Sequence, residues 1–267
     1  MRTEEEVKKD IAELSDKYDI LLLKGDTNEM WRFWEEDKKL RGELGAIQNA
    51  KAEEENNTPE AIEERKKEWK ARQIKNIMQS GIGRRYLNAD IKSFICKTQE
   101  QKEILKTVKQ FISNPFGKSL WLVGVPGTGK TLIGAIICRY CGAKYFKSYQ
   151  IKDELEYARS FNAKKNPTEV INDYADISVM IIDEVGRYRS PAEQEYLFRI
   201  LNERYEMKKP TVLISNMEKK EFGEYLGNPV VDRFREGCKC LEFKGESYRG
   251  KDRNEWDGKI NDKIFEC

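Results

Sequence analysis

The chain has 267 residues, of which 39% are hydrophobic and 36% charged, and its formal net charge is +2. This composition is typical of a soluble, strongly hydrated protein with one ordinary core. No apolar stretch approaches the roughly 18 residues of a membrane span, and Met1–Glu6 lacks the apolar core of a signal peptide. We therefore expect a cytoplasmic protein without a membrane partner.

Histidine is absent from the sequence, which removes the usual general base and the commonest metal ligand. Any catalysis would use carboxylates, lysine, arginine and a bound metal. The six cysteines show no disulfide framework. A zinc site built from Cys138, Cys141, Cys238 and Cys240 is conceivable, but the spacings are poor, and reduced thiols are the simpler interpretation.

Three helices are predicted in the first part of the chain, at residues 3–24, 28–50 and 59–79. Thr3 and Glu6 match a capping box, and apolar residues recur three and four positions apart after it. Thr58 followed by Pro59 is a typical helix start. Residues 1–80 are therefore predicted to form a small all-helical domain.

We expect residues 1–80 to bind a partner and residues 81–267 to form a second domain, with Ser80-Gly81-Ile82-Gly83 at the boundary. The first part is slightly acidic and the remainder slightly basic, which indicates either different partners or an ordinary solvated surface. Three tryptophans lie on these helices, namely Trp31, Trp34 and Trp69, and aromatic residues on charged helices are frequent interface anchors. Packing between the helices is the alternative for Trp31 and Trp34.

From Arg84 onward, predicted strands alternate with predicted helices, which is typical of a parallel sheet covered on both faces. A helix is expected over Gln99–Ser113. Five strands are expected at residues 119–123, 143–147, 178–182, 211–215 and 239–243. The predicted fold class is therefore α/β with a five-stranded parallel sheet.

A complete P-loop lies between the first predicted strand and a predicted helix, the context that this motif requires. Its glycines let the backbone approach phosphate oxygens, and successive N–H groups then point inward. Lys130 would contact the β- and γ-phosphates of ATP, and the Thr131 hydroxyl is placed to bind Mg²⁺. The expected nucleotide-binding residues are Gly124, Val125, Pro126, Gly127, Thr128, Gly129, Lys130 and Thr131.

Polar side chains follow two of the other strands. Asp183 and Glu184 end an apolar strand, where ligands bind in open α/β sheets. We expect Asp183 to hold Mg²⁺ through water and Glu184 to polarise an attacking water, so that ATP is hydrolysed. Asn216 follows the next strand and could orient that water or sense the γ-phosphate, although a turn-forming asparagine is the alternative.

Two arginines, Arg233 and Arg235, follow later in the chain. Arginine can stabilise charge on a phosphoryl group that is bound to a neighbouring subunit. A surface salt bridge is the alternative for either residue.

Together these segments resemble the AAA+ ATPases of the DnaC, DnaI and IstB type, which are helicase loaders and transposition helpers. The resemblance covers residues 82–250 and rests on GVPGTGKT, IIDEVG, TVLISNM, LGNPVVDRFREG and GESYRG. It implies a three-layer P-loop AAA+ domain with strand order 5-1-4-3-2. It also implies that Asn216 is sensor 1, Arg233 an arginine finger and Arg249 a sensor-2-like arginine. The chain departs from DnaI-type loaders, which carry an N-terminal zinc site, because no cysteine precedes Cys96.

The resemblance further implies that a helix expected at Ile151–Phe161 faces a channel for single-stranded DNA. Its aromatic residues could stack on bases and nearby cations could meet phosphates; these residues are Tyr157, Phe161, Arg159, Lys164 and Lys165. A core helix with a solvated face is the alternative, because three acids lie on the same helix: Asp153, Glu154 and Glu156. Arg187 and Arg189 are further candidates.

Four functions follow from these features. The first is a replicative helicase loader that assembles as a homo-oligomer with ATP and is released by hydrolysis. The second is an IstB-like helper that delivers a transposase. A P-loop kinase for a small molecule would not need the water-activating Glu184 together with Asn216 and Arg233. A non-hydrolysing scaffold would not need Lys130, Thr131, Asp183 and Glu184 together. The predicted helical domain at residues 1–80 favours the loader, because a module that binds a partner is expected there.

Overall fold

The computed structural model describes residues 2–24, 27–56 and 58–248, and it describes the side chains of these residues except at 15–34 and 52–57. It divides into two compact units, Met1–Lys70 and Ala71–Cys267. The division falls within a helix, whereas the sequence predicted a boundary after residue 80. Where the functional domains divide stays a prediction.

The first unit contains α1 (Glu4–Lys24), α2 (Thr27–Asn56) and the greater part of α3 (Pro59–Met78). The predicted capping box is present, because the Glu6 N–H donates to Thr3 Oγ1 and the Thr3 N–H donates to Glu6 Oε2. The second helix continues past its predicted end at Ala50, because the residues that follow are mostly good helix formers. The predicted break at Gly25-Asp26 lies outside the described residues.

A small apolar cluster holds α1 against α2. Its buried members are Val7, Leu14 and Leu40. Glu4 at the start of α1 accepts from Lys51 near the end of α2 at 2.8 Å. The start of α1 therefore lies beside the latter part of α2.

The second unit is built on a parallel sheet of β1 (Ser119–Gly124), β2 (Lys144–Lys147), β3 (Met180–Asp183), β4 (Thr211–Ile214) and β5 (Cys238–Phe243). The strand order is β2-β3-β4-β1-β5, which confirms the order 5-1-4-3-2. Each predicted strand is present, and no predicted end is wrong by more than two residues.

Helices cover both faces of this sheet. Alternate residues of β1 point to opposite faces, so that Leu120 and Leu122 pack with α4 (Gln99–Ser113) and α5 (Lys130–Cys141). Trp121 and Val123 pack on the other face with helices α6 (Ser148–Tyr157), α7 (Pro167–Asp176), α8 (Pro191–Glu206), α9 (Lys219–Leu226) and α10 (Asn228–Phe234). The predicted three layers are thereby confirmed.

The helix predicted at Ile151–Phe161 is displaced in the structure. It begins at Ser148, directly after β2, and ends at Tyr157. Ser148 is drawn into a buried hydrogen-bond cluster with α8, and Ser160 with Asn162 favours a turn after the helix. The predicted bounds were therefore wrong by three and four residues, and Arg159 and Phe161 lie beyond the helix.

Candidate nucleotide site

The P-loop leaves the carboxyl end of β1 and enters α5 through three glycines with positive φ, namely Gly124 (111°), Gly127 (82°) and Gly129 (101°). A Cβ at Gly124 would lie 2.5 Å from the Phe243 carbonyl oxygen, so the close approach also demands glycine. The Gly124 N–H donates to Met217 O at 2.9 Å. The loop is thus fastened to the segment that follows β4.

Lys130 is the first residue of α5 and is only 5% exposed. Its ammonium group donates to the carbonyl oxygens of Gly124 at 2.7 Å and Val125 at 2.6 Å. The Thr128 hydroxyl donates to the Val125 carbonyl at 2.7 Å. These contacts hold the cation beside the loop that the sequence assigns to phosphate binding.

Asp183 at the end of β3 is buried and accepts three hydrogen bonds. Oδ2 accepts from the Thr131 hydroxyl at 2.9 Å and from the Tyr145 hydroxyl at 2.7 Å. Oδ1 accepts from the Glu184 N–H at 2.6 Å. Burial, followed by the charge of Asp183, raises the pKa of Tyr145, so this hydroxyl stays protonated and donates.

The residue after Asp183 adopts a left-handed backbone, because Glu184 has φ of 60°. Its carboxylate lies 2.6 Å from Arg187 and 3.6 Å from Lys147 at the end of β2. The Val185 N–H donates to Ile214 O at 3.0 Å. The backbone is therefore tied to β4 while the carboxylate faces two cations.

A cleft of about 440 Å³ brings the predicted residues together. Lys130, Thr131 and Asp183 line it with Glu184 and the exposed Asn216. The predicted P-loop and acidic pair thus meet at the same edge of the sheet, because β1, β3 and β4 are parallel neighbours.

Three further residues with polar side chains line this cleft and were not predicted, namely Arg85, Tyr86 and Tyr248. Arg85 lies over the Tyr86 ring, 4.5 Å from its centroid. The Tyr248 N–H donates to Gly127 O at 3.0 Å, and its hydroxyl accepts from Gln101 at 2.9 Å. Only Tyr248 lay within a segment that the sequence had singled out, GESYRG.

Arg233 does not line the nucleotide cleft. It lies on α10 and lines a separate pocket of about 500 Å³ with Lys208 and Gly237, at the amino ends of the strands. Its guanidinium lies 5.7 Å from the Phe198 ring centroid, and its buried NH1 has no hydrogen-bond partner within the residues described. Arg235 pairs with Asp232 at 3.2 Å, and the predicted Arg249 lies outside the described residues.

The DNA candidates lie around the end of α6. Phe161 is fully exposed and Tyr157 is 61% exposed, and Arg159 and Lys164 are exposed as well. Lys165 pairs with Asp173 at 2.5 Å. The other two candidates also have acidic partners, Glu184 for Arg187 and Glu221 for Arg189.

The side-chain oxygen atoms of Thr131 and Asp183 are suitable ligands for Mg²⁺, which binds carboxylate and hydroxyl oxygens together with phosphates and water. Among the described residues, no group of three or more His, Cys, Asp or Glu side chains could hold a metal ion. The same finding gives no support to a zinc site at the four cysteines, which are free thiols.

Among the helices of residues 2–24, 27–56 and 58–248, none combines the length and the hydropathy of a membrane-spanning segment.

A family model described as "IstB-like ATP binding protein" matches residues 59–256. The replicative helicase loader DnaC of Buchnera aphidicola subsp. Baizongia pistaciae is 29% identical over 202 residues, which are 72% of this chain and 81% of that protein. DnaC of Escherichia coli K12 is 25% identical over 78% of this chain and 84% of its own length. A putative ATP-binding protein of insertion sequence IS5376 from Geobacillus stearothermophilus is 30% identical over 51% of this chain and 57% of its own length.

Solved structures share the fold. The DnaC helicase loader matches with a TM-score of 0.53 and 24% identity over 61% of this chain and 100% of that one. DnaI matches with a TM-score of 0.55 and 20% identity over 67% of this chain and 100% of that one. These similarities confirm the predicted P-loop AAA+ fold.

Proposed function

This chain belongs to the family of IstB-like ATP binding proteins, and from that premise we propose that it is an ATP-hydrolysing loader of a replicative helicase. The observation that carries the proposal is the cleft in which Lys130, Thr131, Asp183, Glu184 and Asn216 meet. Such a set serves hydrolysis of a nucleoside triphosphate rather than binding alone.

In the proposed reaction, Lys130 and the P-loop N–H groups bind the β- and γ-phosphates. Thr131 and Asp183 would hold Mg²⁺, which neutralises phosphate charge when bound. Glu184 accepts a proton from the water that attacks the γ-phosphorus, and Asn216 orients that water. The bond to the leaving ADP oxygen breaks, and inorganic phosphate is formed.

We propose that a second copy of the chain completes the site. Arg233 is remote from the cleft of its own chain, at the amino ends of the strands. An arginine at that position fits a role at the nucleotide of a neighbouring subunit, where it would stabilise charge on the transferring phosphoryl group. ATP binding would then favour a homo-oligomer, and hydrolysis would release it.

The proposed partner is a replicative helicase, because the two DnaC relatives are named helicase loaders and resemble most of this chain. Residues 1–80 are proposed to bind that partner. Exposed aromatic and basic residues around the end of α6 are proposed to bind single-stranded DNA.

A second candidate is a helper that delivers a transposase. The family description and the insertion-sequence relative favour it. The shorter coverage of that relative, 51% of this chain, makes it the weaker candidate.

The proposal is tested with Glu184→Gln, which is expected to bind ATP but to turn it over about 10²-fold more slowly or worse, because an amide cannot accept the proton. With ATP, this variant should co-elute with the replicative helicase of the same genome in size-exclusion chromatography. The wild-type protein with ADP is the control. Co-elution with a transposase instead would favour the second candidate, and unchanged turnover would exclude Glu184 as the base.

A further inference from the structure

A buried carboxylate outside the nucleotide cleft lies behind the loop that carries Glu184. Glu193 is 3% exposed and lies in the first turn of α8, where the helix dipole favours a negative charge. Within residues 58–248, no lysine or arginine forms an ion pair with it. Its charge is instead met by hydrogen bonds.

Three donors from three segments meet the Glu193 carboxylate. Oε1 accepts from the Gly186 N–H at 3.0 Å and from the Ser148 hydroxyl. Oε2 accepts from the Tyr225 hydroxyl at 2.8 Å. Ser148 is the first residue of α6, Gly186 lies two residues after Glu184, and Tyr225 belongs to α9.

A second contact reinforces the connection between α6 and α8. The Tyr196 hydroxyl donates to the Ser148 carbonyl at 2.7 Å, and its oxygen lies 2.7 Å from Ser148 Oγ. All three side chains, Ser148, Glu193 and Tyr196, are buried. The start of α6 is therefore hydrogen-bonded both to Glu193 and to Tyr196, one turn further along α8.

The loop after β3 needs such contacts because its backbone is unusual. Glu184 has φ of 60° and Gly186 has φ of 75°, and a left-handed non-glycine residue persists only where its surroundings hold it. The Val185 N–H bonds to β4, and its carbonyl accepts from Ser215 at 2.8 Å. The bond to Glu193 fixes the next peptide, at Gly186.

We propose that Glu193 is a positioning residue for Glu184 and that it couples α6 to the hydrolytic loop. This inference rests on the proposed function, in which Glu184 is the base. A displacement of α6, such as DNA binding at its carboxyl end would cause, passes from Ser148 through the Glu193 carboxylate to the Gly186 N–H. The position of Glu184, and with it the hydrolysis rate, then depends on α6.

The test compares Glu193→Ala with Glu193→Gln. Alanine leaves the Gly186 N–H and the Ser148 and Tyr225 hydroxyls without their acceptor. In the glutamine variant, the amide oxygen still accepts from Gly186 and Ser148, while the amide nitrogen donates to the Tyr225 oxygen. We expect alanine to lower kcat by about tenfold or more, with the Kd of ATP changed by less than about twofold, since a small displacement of a catalytic group is costly. Glutamine should restore most of kcat.

A double-mutant cycle separates positioning from mere support of the fold. In a Glu184→Gln background, Glu193→Ala should cause no further loss of turnover, because the group that it positions is already missing. The same proportional loss in both backgrounds would overturn the inference, and so would an unchanged kcat in Glu193→Ala.

Hydrogen–deuterium exchange gives a readout that does not need hydrolysis. Glu193→Ala should accelerate exchange in peptides that contain Gly186 and the start of α6, and leave the P-loop peptide unchanged. If the alanine variant does not fold, Ser148→Ala and Tyr225→Phe each remove one donor and should lower kcat in the same way; unchanged kcat in both would overturn the inference. If the wild-type protein does not hydrolyse ATP, the proposed function is contradicted. If the wild-type protein hydrolyses ATP and the Glu193 variants have the same kcat, this inference alone is contradicted.

Discussion

The hydroxyl of Tyr145 donates to Oδ2 of Asp183 at 2.7 Å, on the same oxygen that accepts from Thr131 at 2.9 Å. Tyr145 reaches this carboxylate from β2, the strand that neighbours β3 in the sheet. A tyrosine that lies 38 residues before Asp183 in the sequence thus helps to orient this proposed Mg²⁺ ligand.

Tyr145→Phe should therefore affect both stability and metal dependence. Loss of a hydrogen bond to a buried carboxylate should lower the free energy of unfolding by about 1–3 kcal/mol, and more Mg²⁺ should be needed for half-maximal ATP hydrolysis. Denaturant titration and a Mg²⁺ series measure the two effects. Tyr140→Phe is the matched control, because its hydroxyl donates to Asp90 at 2.8 Å away from the cleft. If both variants alter the Mg²⁺ dependence equally, Tyr145 has no special role there.

Lys130→Ala should abolish measurable ATP binding, because the phosphates lose the P-loop cation. The expected loss is about 2–4 kcal/mol of binding free energy, read from an equilibrium titration with a fluorescent ATP analogue. Lys144→Ala is the control, since that ammonium group donates to the Gln79 carbonyl at 2.7 Å outside the cleft. Undiminished affinity in a folded Lys130→Ala protein would exclude the P-loop assignment.

Arg233→Ala should leave ATP binding nearly intact and slow hydrolysis on the order of 10³-fold, if this arginine acts on the nucleotide of a neighbouring subunit. Mixing this variant with Glu184→Gln should restore part of the activity, because one type of interface then contains both groups. Arg235→Ala is the comparison, and a larger loss there would make Arg235 the finger. Absence of recovery, with co-assembly shown by light scattering, would count against action between subunits.

Single-stranded DNA should bind the ATP state more tightly than the ADP state, and its affinity should fall as salt rises because phosphate contacts release counterions. Replacement of Arg159, Lys164 and Lys165 by alanine should flatten the salt dependence in fluorescence anisotropy. Most of that effect should come from the first two, since Lys165 already pairs with Asp173. Alanine at Lys102, Lys106 and Lys109 of α4 removes the same charge elsewhere; an equal effect of both triple variants would indicate non-specific attraction.

Removal of residues 1–70 should leave a folded ATPase that no longer binds its protein partner. Removal of 1–80 should be destabilising, because Ile77 is 1% exposed in the core of the second unit and the Tyr145 N–H donates to Ser80 O at 2.7 Å. Circular dichroism and co-purification with the helicase measure fold and partner binding. If the protein that lacks residues 1–70 still binds the helicase, the binding surface lies in the second unit.

The sequence by itself determined the local elements of the second unit and the polar side chains at the ends of its strands. The Gly124–Thr131 loop, the strand that ends in Asp183 and Glu184, and the strand before Asn216 all depend on residues close together in the chain. Apolar runs, glycine positions and polar strand ends are local signals. Because parallel strands end at the same edge of a sheet, the sequence also predicted that these groups would meet.

Only the tertiary structure decided which distant side chains support those groups. Nothing near Tyr145 in the sequence indicates that it contacts Asp183, and Glu193 could equally be an exposed acid in a helical first turn. Arg204 is a further side chain whose environment the sequence does not indicate. It is fully buried, and its guanidinium donates hydrogen bonds to backbone carbonyls, among them Ile177 O at 2.6 Å and Pro210 O at 2.7 Å. The physical reason is that burial and hydrogen-bond partners of a polar side chain depend on segments far apart in the chain. A local pattern can indicate which strands share a sheet edge, but it does not specify which individual side chains then come into contact.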